Sequence, residues 1–301
     1  MYSLSDLASQ DGTGYYAIAQ PIDATGTTYN DYVLFNLTGT LAGLGNTISN
    51  LTISNSNNYY GGEMGLFGYM TGTVRDLGLV NASLTLDLGD NGFCDIECGE
   101  LGLLAGYNGG LISHVYTTGS VTFVMGQNSD FFGGDTYAGG LAGENFGTIS
   151  NSYSTASVTS PGTAGGLVGI NYATIYASYA TGDVSGDVGD SNNYDWGYTG
   201  GLIGDNAGPV SNVYATGAVT GYNAGGLAGY NAAAIDSAYA TGLVTLLPTT
   251  STQYAGGLVG YIAGGTITNG YYDAETTGMS DSNGGSQGVT TAYLHLTGRF
   301  R

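Results

Sequence analysis

Residues 164–186 read AGGLVGINYATIYASYATGDVSG, a stretch with no Lys or Arg and one carboxylate, Asp183. Close copies recur along the chain. Aligned on the Leu of GGLxG, they give Leu104, Leu141, Leu167, Leu202, Leu227 and Leu258, with a degenerate copy, MGLFGYMTGTV, on Leu66. A weaker copy is LAGLGNTISNLTI at 41–53. Successive spacings from Leu104 are 37, 26, 35, 25 and 31 residues. The shortest is therefore the unit, and the others carry insertions.

Within the unit the spacing is rigid. An apolar residue follows each Leu by eight positions: Val74, Ile112, Ile149, Ile175, Val210 and Ile235, with Ile267 one later. Four further on stand Tyr116, Tyr153, Tyr179, Tyr214, Tyr239 and Tyr271, and then Val121, Val158, Val184, Val219 and Val244. Four after the Leu come Asn108, Asn145, Asn171, Asn206 and Asn231, a column broken last by Ile262. A unit of 25 residues is too short for helical-hairpin repeats, and its Gly and Thr disfavour helix. Short apolar runs bounded by Gly, Asn and Ser read as strands. Three strands and three bends make one coil of a parallel β-solenoid. The sequence thus predicts an all-β parallel β-helix of about nine three-stranded coils, roughly 45 Å long at the rise between paired strands. Leu, Ile and Val then fill the interior. Asn at a bend bonds to the Asn of the next coil, as in stacked cross-β ladders, and the Tyr rings stack.

Composition agrees. The chain has 301 residues, 56 Gly, 26 Tyr, only 4 Pro and 42% hydrophobic residues, apolar enough to bury a core. Twenty-three carboxylates face Arg75, Arg299 and Arg301, with no Lys, for a net charge of −20. Such a chain repels nucleic acid, whose phosphates are bound by Lys and Arg, and does not dock on anionic lipid. No apolar run is long enough for membrane insertion. MYSLSDLASQ lacks the basic start and apolar core of a signal peptide, although an exported protein can have lost its signal. Cys94 and Cys98, in CDIEC, are too few for a four-ligand zinc site. They form either a local disulfide, which fits an exported protein, or a pair of free thiols.

The pattern GGLVGxNxGxIxNSYATGxVxG resembles the GLUG motif of bacterial surface proteins. It is similar to the repeats of filamentous-haemagglutinin-like secreted adhesins and of some surface proteases that cleave immunoglobulin A. The flanks at 15–53 and 271–294 are similar to the stretches that lead into and close such repeats. The resemblance implies a right-handed parallel β-helix, a single β-solenoid domain over 1–301 with an N-terminal cap and lead-in at 1–35, GLUG-type coils at 36–270 and a C-terminal cap at 271–301. It also implies an extracellular or bacterial cell-surface location, usually within a longer protein. No haemagglutination-type secretion domain and no HExxH motif is present, so a fragment or a short stand-alone relative is expected.

The insertions fall at one bend, between the Val column and the next GGLxG: 87–100, 123–137, 186–198 and 246–254. They are expected to line one edge, where repeat proteins often bind. The third groups Asp187, Asp190, Asn192, Asn193, Tyr194, Asp195, Trp196 and Tyr198. Aromatic faces beside amides and carboxylates suit a sugar, with Asp190, Asn192, Asn193, Tyr194, Asp195, Trp196 and Tyr198 as candidate ligand-binding residues. The alternative is aromatic packing onto the solenoid. The first insertion supplies Asp87, Asp90, Asn91, Asp95 and Glu97 as candidate Ca²⁺ ligands, with a solvated acidic loop as the alternative. Otherwise no cofactor is expected.

Enzyme readings lack parts. Only Arg75 lies within the repeats, His114 and His295 are isolated, and no carboxylate pair of the kind glycosidases need can be placed. The sequence therefore points to a non-catalytic adhesin segment, a stiff stalk whose loop-rich edge meets a host-cell or matrix glycan or protein. A second reading is self-association end to end into an extracellular fibre. Ice binding on Thr118, Thr155, Thr181, Thr216 and Thr241 is weaker, because Gly and Ala flank the column. The sequons at Asn36, Asn50 and Asn81 are expected by chance in so Asn- and Thr-rich a chain.

Overall fold

A computed structural model describes the chain except residues 57–61, 90–92, 95–96, 126–129, 132–134, 187–196, 250, 282 and 297–301. The side chains of 93–94, 97–98, 130–131, 135 and 295–296 also lie outside the description. The protein is all-β. Its only α-helices among the described residues are short, Leu4–Ala8 and Thr291–Leu296. Each strand pairs in parallel with the equivalent segment of the next repeat. One ladder passes through nine strands in register, at Tyr16, Leu41, Val74, Ile112, Ile149, Ile175, Val210, Ile235 and Ile267.

The other columns lie in register as well. Leu84, Val121, Val158, Val184, Val219 and Val244 overlie one another. Along the GGLxG column the N–H of Leu104 donates to the carbonyl of Leu141 at 3.0 Å, Leu141 to Leu167 at 2.9 Å, Leu167 to Leu202 at 2.9 Å, and Leu202 to Leu227 at 2.8 Å. Most of these Leu, Ile and Val side chains converge in one buried cluster running along the stack, while Val219 and Val244 form a smaller one with Ala224. A residue buried in a parallel ladder gains apolar contact from the coils on both sides, so a short repeat reaches a dry interior that a lone coil could not form.

The copy at 41–53 is out of step with that alignment. Leu41 pairs with Val74, so it belongs to the Ile/Val column. Leu44 is 60% exposed at a bend with φ 56°. The position equivalent to the GGLxG leucine is Val33, since Tyr32 pairs with Gly65 and Leu34 with Phe67. The ladders also begin before residue 36, at Tyr15–Ala17. In the last coil the added residue before Ile267 is taken up in a turn at Gly264, φ 100°.

Both ends of the stack are covered. The Leu4–Ala8 helix buries Leu4 and Leu7, and the terminal ammonium of Met1 donates to the Ala17 carbonyl at 2.6 Å. At the far end the Asn283 amide donates to the carbonyls of Ala255, Val259 and Gly260 at 3.1, 3.2 and 3.2 Å. Asp281 accepts the Gly257 N–H at 2.7 Å, and the buried Tyr272 donates its hydroxyl to the Asp281 carbonyl. These bonds satisfy backbone groups that a terminal strand would otherwise expose.

Two backbone features fix the repeat. A Cβ on Gly201 would lie 2.2 Å from the Gly226 carbonyl oxygen of the next coil, so the second Gly of GGLxG is required by close approach. Two residues after the Ile/Val column comes a left-handed bend, at Asp76, His114, Asn151, Ala177, Asn212, Ser237 and Asn269, with φ between 49° and 56°. Asn and Asp tolerate this conformation, whereas Ala there costs about 1–2 kcal/mol. Gly201→Ala is therefore expected to destabilise by about 1–3 kcal/mol through overpacking. Ala177→Gly should stabilise by up to about 1 kcal/mol, the strain removed less the entropy Gly loses on folding. Thermal unfolding midpoints check both, and a Gly201→Ala chain as stable as the parent would refute the close-approach argument.

Candidate functional site

Backbone register sets the Tyr side chains one above another. From Tyr116 through Tyr153, Tyr179, Tyr214 and Tyr239 the ring centroids are 5.2, 4.7, 4.5 and 4.9 Å apart, with interplanar angles of 9°, 3°, 6° and 13°. The stack starts where Gly78 leaves room: a Cβ there would meet the Tyr116 ring at 2.4 Å. Each Tyr stands two residues after a left-handed bend, and the bend turns that residue to the surface beside the ring.

The result is a groove of about 600 Å³ across four coils. Tyr179, Tyr214, Tyr239 and Tyr271 form one side, and Ala177, Asn212, Ser237 and Asn269 the other. The rings are half-buried and no charged side chain lines the groove. Burial, then the neighbouring Tyr179 and Tyr239, pushes the Tyr214 phenol far above its ordinary value. Burial also raises Tyr239, and burial followed by Tyr179 and Tyr116 raises Tyr153. The groove is thus a line of neutral phenols facing amides and a hydroxyl.

The Asn column has a different role. Asn108 Nδ2 donates to Asn145 Oδ1 at 2.6 Å, Asn145 to Asn171 at 2.7 Å, Asn171 to Asn206 at 2.8 Å and Asn206 to Asn231 at 2.7 Å. Asn231 Nδ2 ends the chain on the Ala233 carbonyl at 2.8 Å. All five residues are fully buried. Met70 and Ile262, the paired residues beyond each end, close the column with apolar side chains.

A second aromatic stack runs through Phe35, Tyr69, Tyr107, Phe146 and Tyr172, with centroids 6.1, 4.4, 5.3 and 4.4 Å apart. Burial raises the Tyr69 and Tyr107 phenols, and the nearby carboxylates of Glu63 and Glu144 add to the effect. Sequence periodicity did not flag this stack, because it changes column: Tyr107 pairs with Glu144 and not with Phe146, and Ala207 and Ala232 stand at the positions equivalent to Phe146 and Tyr172. The groove had a visible signal in the residue two before each Tyr: HVY, NSY, ASY, NVY, SAY and NGY. Those residues share a backbone conformation rather than a chemistry.

Of the candidate ligand-binding residues, Asp190, Asn192, Asn193, Tyr194, Asp195 and Trp196 lie outside the described residues. Tyr198 is half-buried at the start of the Tyr198–Gly200 strand, its ring 4.9 Å from Tyr230. Among the candidate calcium ligands, Asp87 closes the Thr73–Asp87 strand and accepts the Gly89 N–H at 2.8 Å. Asp90, Asn91 and Asp95 lie outside the description, as do the side chains of Glu97, Cys94 and Cys98. Among the described residues no group of three or more His, Cys, Asp and Glu could hold a metal ion. The backbone does bring two insertions together: Phe93 pairs with Asp130 and Cys94 with Phe131, in parallel. His114 is exposed at its bend, and Arg75 pairs with Asp76 at 2.7 Å.

Three likenesses bear on this geometry. Residues 134–159 and 160–185 each match the GLUG motif. A stretch of 114 residues is 38% identical to Halomucin of Haloquadratum walsbyi, covering 37% of this chain and 1% of Halomucin. A Bacteroides ovatus crystal structure, provisionally named an immunoglobulin A1 protease, superposes with a TM-score of 0.58. That match covers 99% of this chain and 84% of the other at 19% identity, a likeness of fold alone.

The raised phenols give a pH prediction. A phenol whose folded pKa lies above its unfolded value contributes stability that is intact below about pH 10 and is lost as pH rises toward the folded value. Ultraviolet titration should show a group of tyrosines ionising only as the chain unfolds above pH 10. Tyr214→Phe should reduce that late fraction. Normal titration of every tyrosine in the folded chain would contradict the packed stack.

Proposed function

We propose that the chain is a rigid, non-catalytic β-helical segment of an extracellular surface protein of the adhesin type. Its role is to hold the loops of its inserted edge, and the grooves of its faces, in fixed register. The observation that carries this reading is the unbroken nine-strand ladder, in which each coil is held by its neighbours. A right-handed coil is supported by the general preference of parallel β connections, which are right-handed in about 98% of cases. The GLUG matches and the Halomucin stretch support a surface location. The net charge of −20 suits a soluble display module that does not collapse onto nucleic acid or anionic lipid.

A scaffold of this kind gains avidity when several weak contacts act together. The fibre reading is less favoured, because backbone groups of the last coil are spent on Asp281 and Asn283. Analytical ultracentrifugation across a dilution series should find a monomer throughout, and growth with concentration would transfer the reading to end-to-end assembly. Incubation with immunoglobulin A1 and with neutral and acidic polysaccharides should leave them intact. Cleavage of any of these would overturn the non-catalytic assignment.

A further inference from the structure

We infer that the groove lined by Tyr179, Tyr214, Tyr239 and Tyr271 binds a neutral, extended, β-linked polysaccharide, one sugar to each coil. The inference depends on the stacked coils and not on the adhesin assignment.

Size and shape come first. A volume of about 600 Å³ lies within the range of roughly 300–1,000 Å³ typical of ligand sites. The groove runs along the stack rather than into it, so its occupant is linear.

Chemistry comes second. The lining offers phenol hydroxyls, the Ser237 hydroxyl and the amides of Asn212 and Asn269, with no ionised group. The exposed Asn212 amide has no hydrogen-bond partner among the described residues. Asn269 Nδ2 makes only a 3.3 Å bond to Asp236, and Ser237 Oγ lies 3.2 Å from the same carboxylate. Hydroxyls and amides placed against aromatic rings match the alternating hydroxyl and C–H surfaces of a sugar. The net charge of −20 opposes uronate or sulfate groups.

Repeat distance comes third. The groove presents the same pair, a bend side chain and a Tyr, once per coil, with ring spacings of 4.5 and 4.9 Å along it. An extended β-linked glycan advances by nearly this distance per sugar, so successive residues meet equivalent contacts. An extended peptide advances about 3.3 Å per residue, and falls out of step after one coil. The match favours the glycan.

The left-handed backbone supplies clean test variants. At positive φ, Gly keeps the bend while deleting the side chain. Asn212→Gly with Asn269→Gly therefore removes both amides, and Tyr214→Phe removes one hydroxyl while keeping its ring in the stack. Calorimetric titration of the full chain with cellohexaose, xylohexaose, mannohexaose and chitohexaose should find at least one that binds. The corresponding monosaccharide should bind at least tenfold more weakly, and an oligogalacturonate should not bind. The double Gly variant should lose at least tenfold in affinity, and Tyr214→Phe several-fold, with thermal melting of Tyr214→Phe close to the parent. The inference is overturned if no neutral hexasaccharide binds the folded chain, or if oligogalacturonate or an extended peptide binds more tightly. It is equally overturned if both variants bind like the parent. None of these results depends on the monomer seen by ultracentrifugation, so the inference and the surface-scaffold assignment fail separately.

Discussion

Register between coils is the constraint on which the rest of this structure depends. A coil of this length cannot satisfy its own backbone. Its N–H and C=O groups point along the stack, and their partners are the coils before and after. Equivalent residues must therefore overlie one another, and a slip of one position would turn each strand's inner face outward. The buried Asn column makes the slip costly in a second way. Shifted by one residue, Asn145, Asn171 and Asn206 would lose one another as amide partners. Each buried polar group left unpaired costs about 1–3 kcal/mol. The Leu, Ile and Val columns reward any compact stack, whereas the amide chain rewards one alignment.

The same constraint explains why the repeats carry so little charge. Anything placed on a strand is stacked on its copy about 4.8 Å away, where like charges repel. In the column that runs Tyr69, Tyr107, Glu144, Ile170, Asp205, Tyr230 and Tyr261, the two carboxylates are separated by Ile170. Glu63 beside Glu100 is an exception, at a place where the repeat is degenerate. Tyr is the preferred outward residue because its ring gains by stacking and its hydroxyl keeps a polar tip. A column that began as packing thus becomes one wall of a groove.

Much of this was legible in the sequence. The Leu, Ile/Val, Tyr, Val and Asn columns could be read because each keeps one kind of residue at one spacing from the copy on Leu104 to the copy on Leu227. What escaped reading had lost that identity. In the first coils Met70 stands in the Asn column and Gly78 in the Tyr column, so the alignment at 41–53 slid onto Leu44. The bend column mixes His, Asn, Ala and Ser, which share a φ value but no composition. The groove was missed for that reason, and because the Tyr column was counted as packing alone. Of the candidate site in the third insertion, the described part is Tyr198, which packs on Tyr230.

The account's central claim is that equivalent residues of successive repeats overlie one another, and engineered disulfides test it most directly. Ser211 pairs with Asp236, and Asp236 with Thr268, so Ser211 and Thr268 lie two coils apart. A disulfide spans Cα separations of about 4.4–6.8 Å, which admits neighbouring coils and excludes the next. In a chain carrying Cys94→Ser and Cys98→Ser, Ser211→Cys with Asp236→Cys should cross-link under mild oxidation. Ser211→Cys with Thr268→Cys should stay reduced. Failure of the first pair, or ready closure of the second, would contradict the stacking register.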